Sequence, residues 1–361
     1  MRFRQFAIHV LILAGLGLAG AVAVVGIGLY NVAASSGHWP GVSWVLHMAF
    51  TQSVKLRAPP ESAVPPLDDP DFVALGARHY DSACKTCHGA PGIPRSATVR
   101  RMVPEPPQIA DAAGHWEPQH LFWIVKHGAK MTGMPAWPSK ERDDHVWPVV
   151  AFLEQVGGMD GGAYARLVQP EAPDLSDTGD GEAELTAYCA SCHGTDGQGH
   201  GNQHVPRLDI LSADYLALSL AAYRDGSRHS GMMQHAASGL SGYEIVELAK
   251  QFSDVSGPSG GGNEASPDAS PAEQPDVLSR LVAEGEAADC TACHGPWPQA
   301  LPDANPALAG QREAYLANQL ELFRDKKRGG ADKARQMHDV IGSLDDAEIA
   351  AIAKFYAGLG N

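Results

Sequence analysis

Cys84 and Cys87 stand three positions apart, and His88 and Gly89 follow the second thiol at once. The same pattern returns as Cys189, Cys192, His193, Gly194 and as Cys290, Cys293, His294, Gly295, and these motifs use all six cysteines of the chain. No thiol is left for a separate structural disulfide. Paired thiols and a histidine suit three chemistries: thiol redox exchange, zinc binding and covalent attachment of haem. A redox Cys-x-x-Cys belongs on a strand-to-helix turn and needs no trailing histidine. Structural zinc wants four ligands from paired knuckles, which three motifs separated by long linkers do not close tidily. Haem attachment accounts for every position. Two thiols one helical turn apart reach two vinyl-derived positions of one macrocycle. The next histidine is carried under the ring as proximal iron ligand, and glycine lets the chain turn away. The pattern therefore predicts three covalent haem c groups, with His88, His193 and His294 on the irons.

A sixth ligand must come from further along. Met134, Met233 and Met337 follow those histidines by 46, 40 and 43 residues. Met233 and Met337 each lie seven residues before a leucine, Leu240 and Leu344, which selects Met233 over Met232. Met134 is preferred to Met131 because Pro135 frees its loop from helix. The ordinary role of a methionine is to fill gaps in a core, and His127, His235 and His338 stand beside the three as rivals. Methionine opposite histidine raises the potential of an iron relative to two histidines.

The elements that position these residues read as helices. "VPRLDILSADYLALSLAAYRDGSR" and "NPALAGQREAYLANQLELFRDKKR" superimpose at an offset of 100, pairing Pro206 with Pro306, Tyr215 with Tyr315 and Arg224 with Arg324. Beyond Arg228 and Arg328 the offset becomes 104, so one unit was copied. Leu216, Leu220, Tyr223 and Leu316, Leu320, Phe323 make one apolar stripe each. A closing helix is marked three times, by Val146, Val149, Val150, Leu153, by Ile245, Leu248, Ala249, Phe252, and by Ile349, Ile352, Ala353, Tyr356. Ser241 with Glu244 and Asp345 with Glu348 are capping signals ahead of two of them. No run of alternating apolar residues competes, so the exported part is expected to be all-α.

At 361 residues and a net charge of -15 the chain lacks the basic surface that nucleic-acid binding requires. Residues 1–60 carry Arg2, Arg4, Lys55 and Arg57 and no acid. "FAIHVLILAGLGLAGAVAVVGIGLY", 6–30, is long enough to cross a bilayer and longer than the apolar core of a cleaved signal. "AVA" at 21–23 is the competing cleavage signal. Arg2 and Arg4 place the amino terminus in the cytoplasm and the remainder outside. The stretch 36–50, with Trp39 and Trp44, fits the membrane interface, a partner subunit or the first core. Pro-, Gly- and acid-rich stretches from Arg57, Gly157 and Ser256 read as linkers. The expected organisation is an anchor at 1–35, an interfacial segment and linker at 36–66, and domains at 67–160, 176–255 and 278–361. Linkers at 161–175 and 256–277 separate them.

The three modules resemble class I cytochromes c over residues 67 to 361. "YLALSLAAYRDGSR" and "YLANQLELFRDKKR" make modules two and three similar to the tandem two-haem cytochromes c of bacterial respiratory chains. "LFWIVKHGAKMTGMPAWP" makes module one resemble the haem domains fused to or partnered with membrane oxidases and periplasmic dehydrogenases. Gly76 and Tyr80 match the glycine and aromatic residue such first helices carry; Gly181 and Tyr188 match less well, and "AEGEAADC" has no aromatic.

The resemblance implies a first helix, the motif, a middle helix, a methionine loop and a closing helix packed across the first. It implies a membrane-anchored triheme cytochrome on the periplasmic side of a bacterial inner membrane. Such a protein passes single electrons and forms part of a hetero-oligomeric complex. Its redox partners would be a quinol-linked or periplasmic dehydrogenase, a soluble cytochrome or a terminal oxidase. The three-haem plan is similar to the cytochrome subunits of membrane-bound alcohol and sugar-acid dehydrogenases, whose chains are usually longer. A peroxidase is the competing expectation, with His127 as the acid–base residue. "RDKKRGGADKAR", 324–335, is either a docking patch for an acidic partner or a solvated helix end.

Overall fold

Apolar residues all round a helix leave it no polar face to turn to water, and α1, Arg2–Ile27, is of that kind. The computed structural model describes residues 2–39, 41–168, 180–254, 275–283, 290–294, 305–330 and 332–359, and α1 packs none of its apolar window against the rest of them. The helix starts four residues before the apolar run and ends at Ile27, three residues short of Tyr30, where Gly28 turns the chain at a φ of 74. α2, Val42–Arg57, follows a short connection. Its last turns dock, with Val54 fully buried and Phe50 edge-on to Trp116 at 6.0 Å, while Trp44, Val45 and Leu46 stay exposed.

The first core is built by α3 (Pro70–Ala83), α4 (Lys85–His88), α5 (Ile109–Ala112), α6 (Pro118–His127), α7 (Val146–Gln155) and α8 (Gly161–Val168). Asp69 caps α3 by accepting from the Asp71 N–H, and Pro70 fills the first helical position, where a missing N–H costs nothing. α7 buries Val146, Val149, Val150 and Leu153, the stripe expected from sequence, against α3. Gly76 makes the crossing possible, because a Cβ there would fall 1.8 Å from the Pro148 carbonyl oxygen. α8 lies in a stretch whose glycines and acids read as linker. It forms because Tyr164 and Val168 share a face and bury into the first core, and the Tyr164 hydroxyl donates to Asp81 at 2.7 Å. The remainder of the linker expected at 161–175 lies outside the described residues from 169 onward.

A second core forms from α9 (Asp180–His193), α10 (Ala213–Arg224), α11 (Gly231–Ala237) and α12 (Gly242–Asp254). The third uses α13 (Asp276–Ala283), α14 (Cys290–His294), α15 (Glu313–Arg324), α16 (Asp332–Ile341) and α17 (Asp346–Gly358). Both closing stripes are buried. The capping box of α17 is complete at Asp345 and Glu348, and Ser241 and Glu244 exchange the same two bonds ahead of α12. α13 packs on α17 although the sequence before Cys290 lacks an aromatic residue; Leu278 and Leu281 supply the contact instead. The linker expected at 256–277 lies outside the described residues as far as 274. Among the described residues there is no strand, and one isolated bridge joins Ala90 to Ile93.

The cores touch. Arg142 donates to the His229 carbonyl at 2.8 Å and Asn202 to the Asp71 carbonyl at 2.7 Å, joining the first to the second. Gln311 donates to the Arg207 carbonyl at 3.0 Å and the Tyr315 N–H to the Gln203 carbonyl at 3.1 Å, joining the second to the third.

Candidate functional site

Each Cys-x-x-Cys-His run is helical, which puts its two thiols one turn apart and its histidine just beyond. Gly89 at φ 63 and Gly194 at φ 75 then turn the chain in the left-handed region that favours glycine. Two of the histidines share a second partner. His88 Nδ1 donates to the Pro107 carbonyl at 3.0 Å and His294 Nδ1 to the Pro306 carbonyl at 2.8 Å. His193 differs: its buried Nδ1 has no hydrogen-bond partner, although the Pro206 carbonyl lies near enough to act on the ring. Such a bond fixes the tautomer, leaves Nε2 with a free lone pair and orients the ring. Sequence reasoning missed these prolines. The signal was there, since Pro206 and Pro306 pair in the internal repeat and Pro107 with Ile109 repeats the spacing of Pro206 with Leu208 and Pro306 with Leu308.

Burial pushes the His193 imidazole down to about 4, with the Pro206 carbonyl opposing. His88 is lowered as well, by burial first. Neutral imidazoles are what a metal ligand requires. Burial lifts Cys84 and Cys189 to about 12, in each case with help from its partner thiol. A thiolate-driven redox pair needs the opposite shift, so the thiols are placed for attachment rather than exchange. Among the described residues, no three His, Cys, Asp or Glu side chains converge as a metal cage of the kind zinc needs.

An open cavity of about 160 Å³ lies where the second module meets the first and the third. Cys189, Cys192 and His193 line it, and so do Met232 and Met233. Its apolar wall, its thiol pair and its motif histidine suit a macrocycle held at one edge, with a thioether sulfur available on the same cavity. Met233 sits on α11, whose amino terminus is capped by Ser230 accepting from the Met233 N–H at 3.2 Å. Met337 sits on α16 and packs against the third core. Both are therefore on short helices, where a loop was expected; for Met233 the reason is Ser230, which starts a turn of helix before the sulfur. Met134 is half-buried on a loop, its carbonyl accepting from Ala129 at 3.2 Å, whereas Met131 is 94% exposed at φ 61.

The rival histidines are placed otherwise. His127 is exposed, its ring tilted against that of Trp123 at 4.9 Å, and His235 is exposed. His338 Nε2 donates to the Arg328 carbonyl at 2.9 Å. The basic run 324–335 is also partly spent, with Arg324 on Asp346 at 2.6 Å, Lys327 on Asp325 at 3.0 Å and Arg328 turned inward on the Phe323 ring.

Helical modules carrying a thiol pair and a proline-oriented histidine define a haem-binding electron carrier. Residues 71–153 match the family model for cytochrome c oxidase, cbb3-type, subunit III, and residues 180–245 and 283–359 match the one for cytochrome c. The thiosulfate dehydrogenase electron acceptor of Thiomonas intermedia is 34% identical over 171 residues, 47% of this chain and 78% of that protein. Cytochrome c4 of Pseudomonas aeruginosa is 30% identical over 186 residues, 51% of this chain and 89% of that one. The solved cytochrome c4 of Acidithiobacillus ferrooxidans is 26% identical, covering 47% of this chain and 97% of its own, with a TM-score of 0.37. The chain belongs to the cytochrome c family, whose domains carry covalently bound haem c and transfer electrons.

Proposed function

We propose that this is a membrane-anchored three-haem cytochrome c that accepts single electrons from a periplasmic dehydrogenase and passes them on along a bacterial respiratory chain. Cys84 and Cys87, Cys189 and Cys192, and Cys290 and Cys293 would hold the three haems by thioether bonds. His88, His193 and His294 would be the proximal ligands, with Met134, Met233 and Met337 opposite them. Haem supplies an iron that gains or loses one electron without leaving its ligands. The chain's own residues hold those ligands, exclude water and set the charge around them. Domains at about 67–160, 176–255 and 278–361 carry one site each, and α1 anchors them at the outer face of the inner membrane.

The observation that carries this reading is the threefold helical thiol–thiol–histidine motif, with the motif imidazole donating to a proline carbonyl at His88 and His294. Donation from a dehydrogenase is supported by the relatives, among them the electron acceptor already named and the cytochrome subunit of sulfide dehydrogenase of Chlorobaculum tepidum, 36% identical over 72 residues. Mass spectrometry of the denatured chain, made in a host that matures cytochromes c, should find three haems added. A count of one or two would remove the proposal. Removal of α1 should release the haem protein from membranes to the soluble fraction.

A further inference from the structure

Arg78 Nη1, His79 Nδ1, Trp137 Nε1 and His145 Nδ1 are buried without a hydrogen-bond partner, and all four side chains sit where the first module meets the second. His79 and His145 line the cavity that holds Cys189, Cys192 and His193. Arg78 and Asp81 lie close enough to the Cys192 thiol for their charges to act on it. Phe72, Leu75 and Pro148 add the apolar part of the same wall. A macrocycle attached through Cys189 and Cys192 carries those sulfurs on one edge, so whatever covers the thiols covers that edge. The first module covers it here. Tyr315 and Gln319 of the third module line the same cavity. The junction is held by directed bonds: Arg142 to the His229 carbonyl, Asn202 to the Asp71 carbonyl, and the Gln203 N–H to the Asp71 carboxylate at 3.0 Å.

Trp137 ties the two neighbouring sites together. Its indole lies on Gly231 so closely that a Cβ there would fall 2.0 Å from Nε1. It is three residues past Met134 and packs two residues before Met233, so one side chain spans the methionine segments of both modules.

We propose that the second site is an internal relay: the first module occupies the edge through which the second site would meet an outside protein, so that site exchanges electrons within the chain. This rests on the three-haem reading. Protein partners then dock at the first or third site, and Trp137 positions the contact between the first and the second.

The test uses the full mature chain, oxidised, with its haem count first measured by mass, and a reduced soluble class I cytochrome c as donor. Each third of the absorbance change records one electron leaving a donor iron, Fe(II) to Fe(III), and reaching one chain iron, Fe(III) to Fe(II). A count below three ends the three-haem reading itself, a failure the mass alone reveals, and the relay falls with it. With three haems, one third of the change should proceed at a rate independent of donor concentration. Arg142→Ala combined with Asn202→Ala removes two junction bonds and touches no proposed ligand. In that variant the Gln203 amide should exchange faster and the same third should become concentration-dependent, rising by about tenfold over a tenfold range of donor. If all three thirds follow donor concentration in the native chain, the relay is overturned. It is equally overturned if the Gln203 amide opens in the variant while that third stays concentration-independent.

Discussion

The hydroxyl of Tyr80 donates to the carbonyl oxygen of Gly89 over 2.5 Å, inside a core that leaves Tyr80 only 1% exposed. This bond ties α3 to the turn that follows the first haem motif, so the helix and the motif move together. Tyr80→Phe keeps the ring and leaves the Gly89 carbonyl buried without its donor. Loss of such a partner costs about 1–3 kcal/mol. Denaturant unfolding of the variant, followed by the first module's haem absorbance, should show a loss of that size with little change in spectrum before the transition. An unchanged midpoint would show that water replaces the hydroxyl.

The two methionines of the first module should separate cleanly. Met131 points into solvent and Met134 is half-buried. Met131→Ala should leave every haem potential where it was. Met134→His should lower one haem potential, because imidazole in place of thioether stabilises the ferric state. Redox titration of both variants decides it, and a fall in potential with Met131→Ala would reverse the assignment.

Tyr80 also shows how much could be read beforehand. The Gly76 and Tyr80 pair, the three closing stripes and both capping pairs were legible because each is a local pattern on one helix. Val146, Val149 and Val150 are buried as their spacing demands, and Gly76 faces the Pro148 carbonyl as the pairing of a first with a closing helix requires. The three thiol–histidine motifs are contiguous and so equally visible. What sequence could not show is what depends on two distant segments. α8 hid in a glycine- and acid-rich stretch because its core contacts, Tyr164 to Asp81 among them, come from residues 83 positions away. The wall that His79 and His145 form beside Cys192 is likewise a property of docking between modules, and neither histidine carries a motif.

That wall gives a pH dependence. Burial is the first cause that pushes His79 and His145 each down to about 3, with the nearby Arg142 guanidinium acting in the same direction on both and Asp144 opposing. Unfolded, each ring takes up a proton near 6.5; folded, neither does until about 3. The folded state therefore binds fewer protons between those values. Their contribution to stability is complete above 6.5 and falls as the pH drops through the window, by at most about 1.4 kcal/mol per unit for each ring. Urea midpoints at about pH 7.5 and 5 should show the loss, and His79→Gln with His145→Gln should flatten it. An equal acid loss in the double variant would place the titrating groups elsewhere.

The basic run before Met337 makes a contrast between neighbours. Arg328 donates from Nε to Gln319 at 2.7 Å and reaches the Tyr215 hydroxyl at 3.4 Å, across the junction between the second and third modules. It lies 4.4 Å from the centre of the Phe323 ring, a cation held over an aromatic face. Its mate in the repeat, Arg228, reaches the same Tyr215 hydroxyl at 3.5 Å. Two guanidiniums therefore meet at one phenol, which binds the modules and cannot also face an outside partner. Lys326, by contrast, is exposed at φ 57 and carries no such contact among those described. Arg328→Ala should lower stability by about 1–3 kcal/mol through the partners it strands, whereas Lys326→Ala should stay within about 0.5 kcal/mol. Calorimetry of the two variants at one pH checks the difference. Equal effects would mean that the run acts through its summed charge, and that the inward turn of Arg328 contributes nothing to the junction.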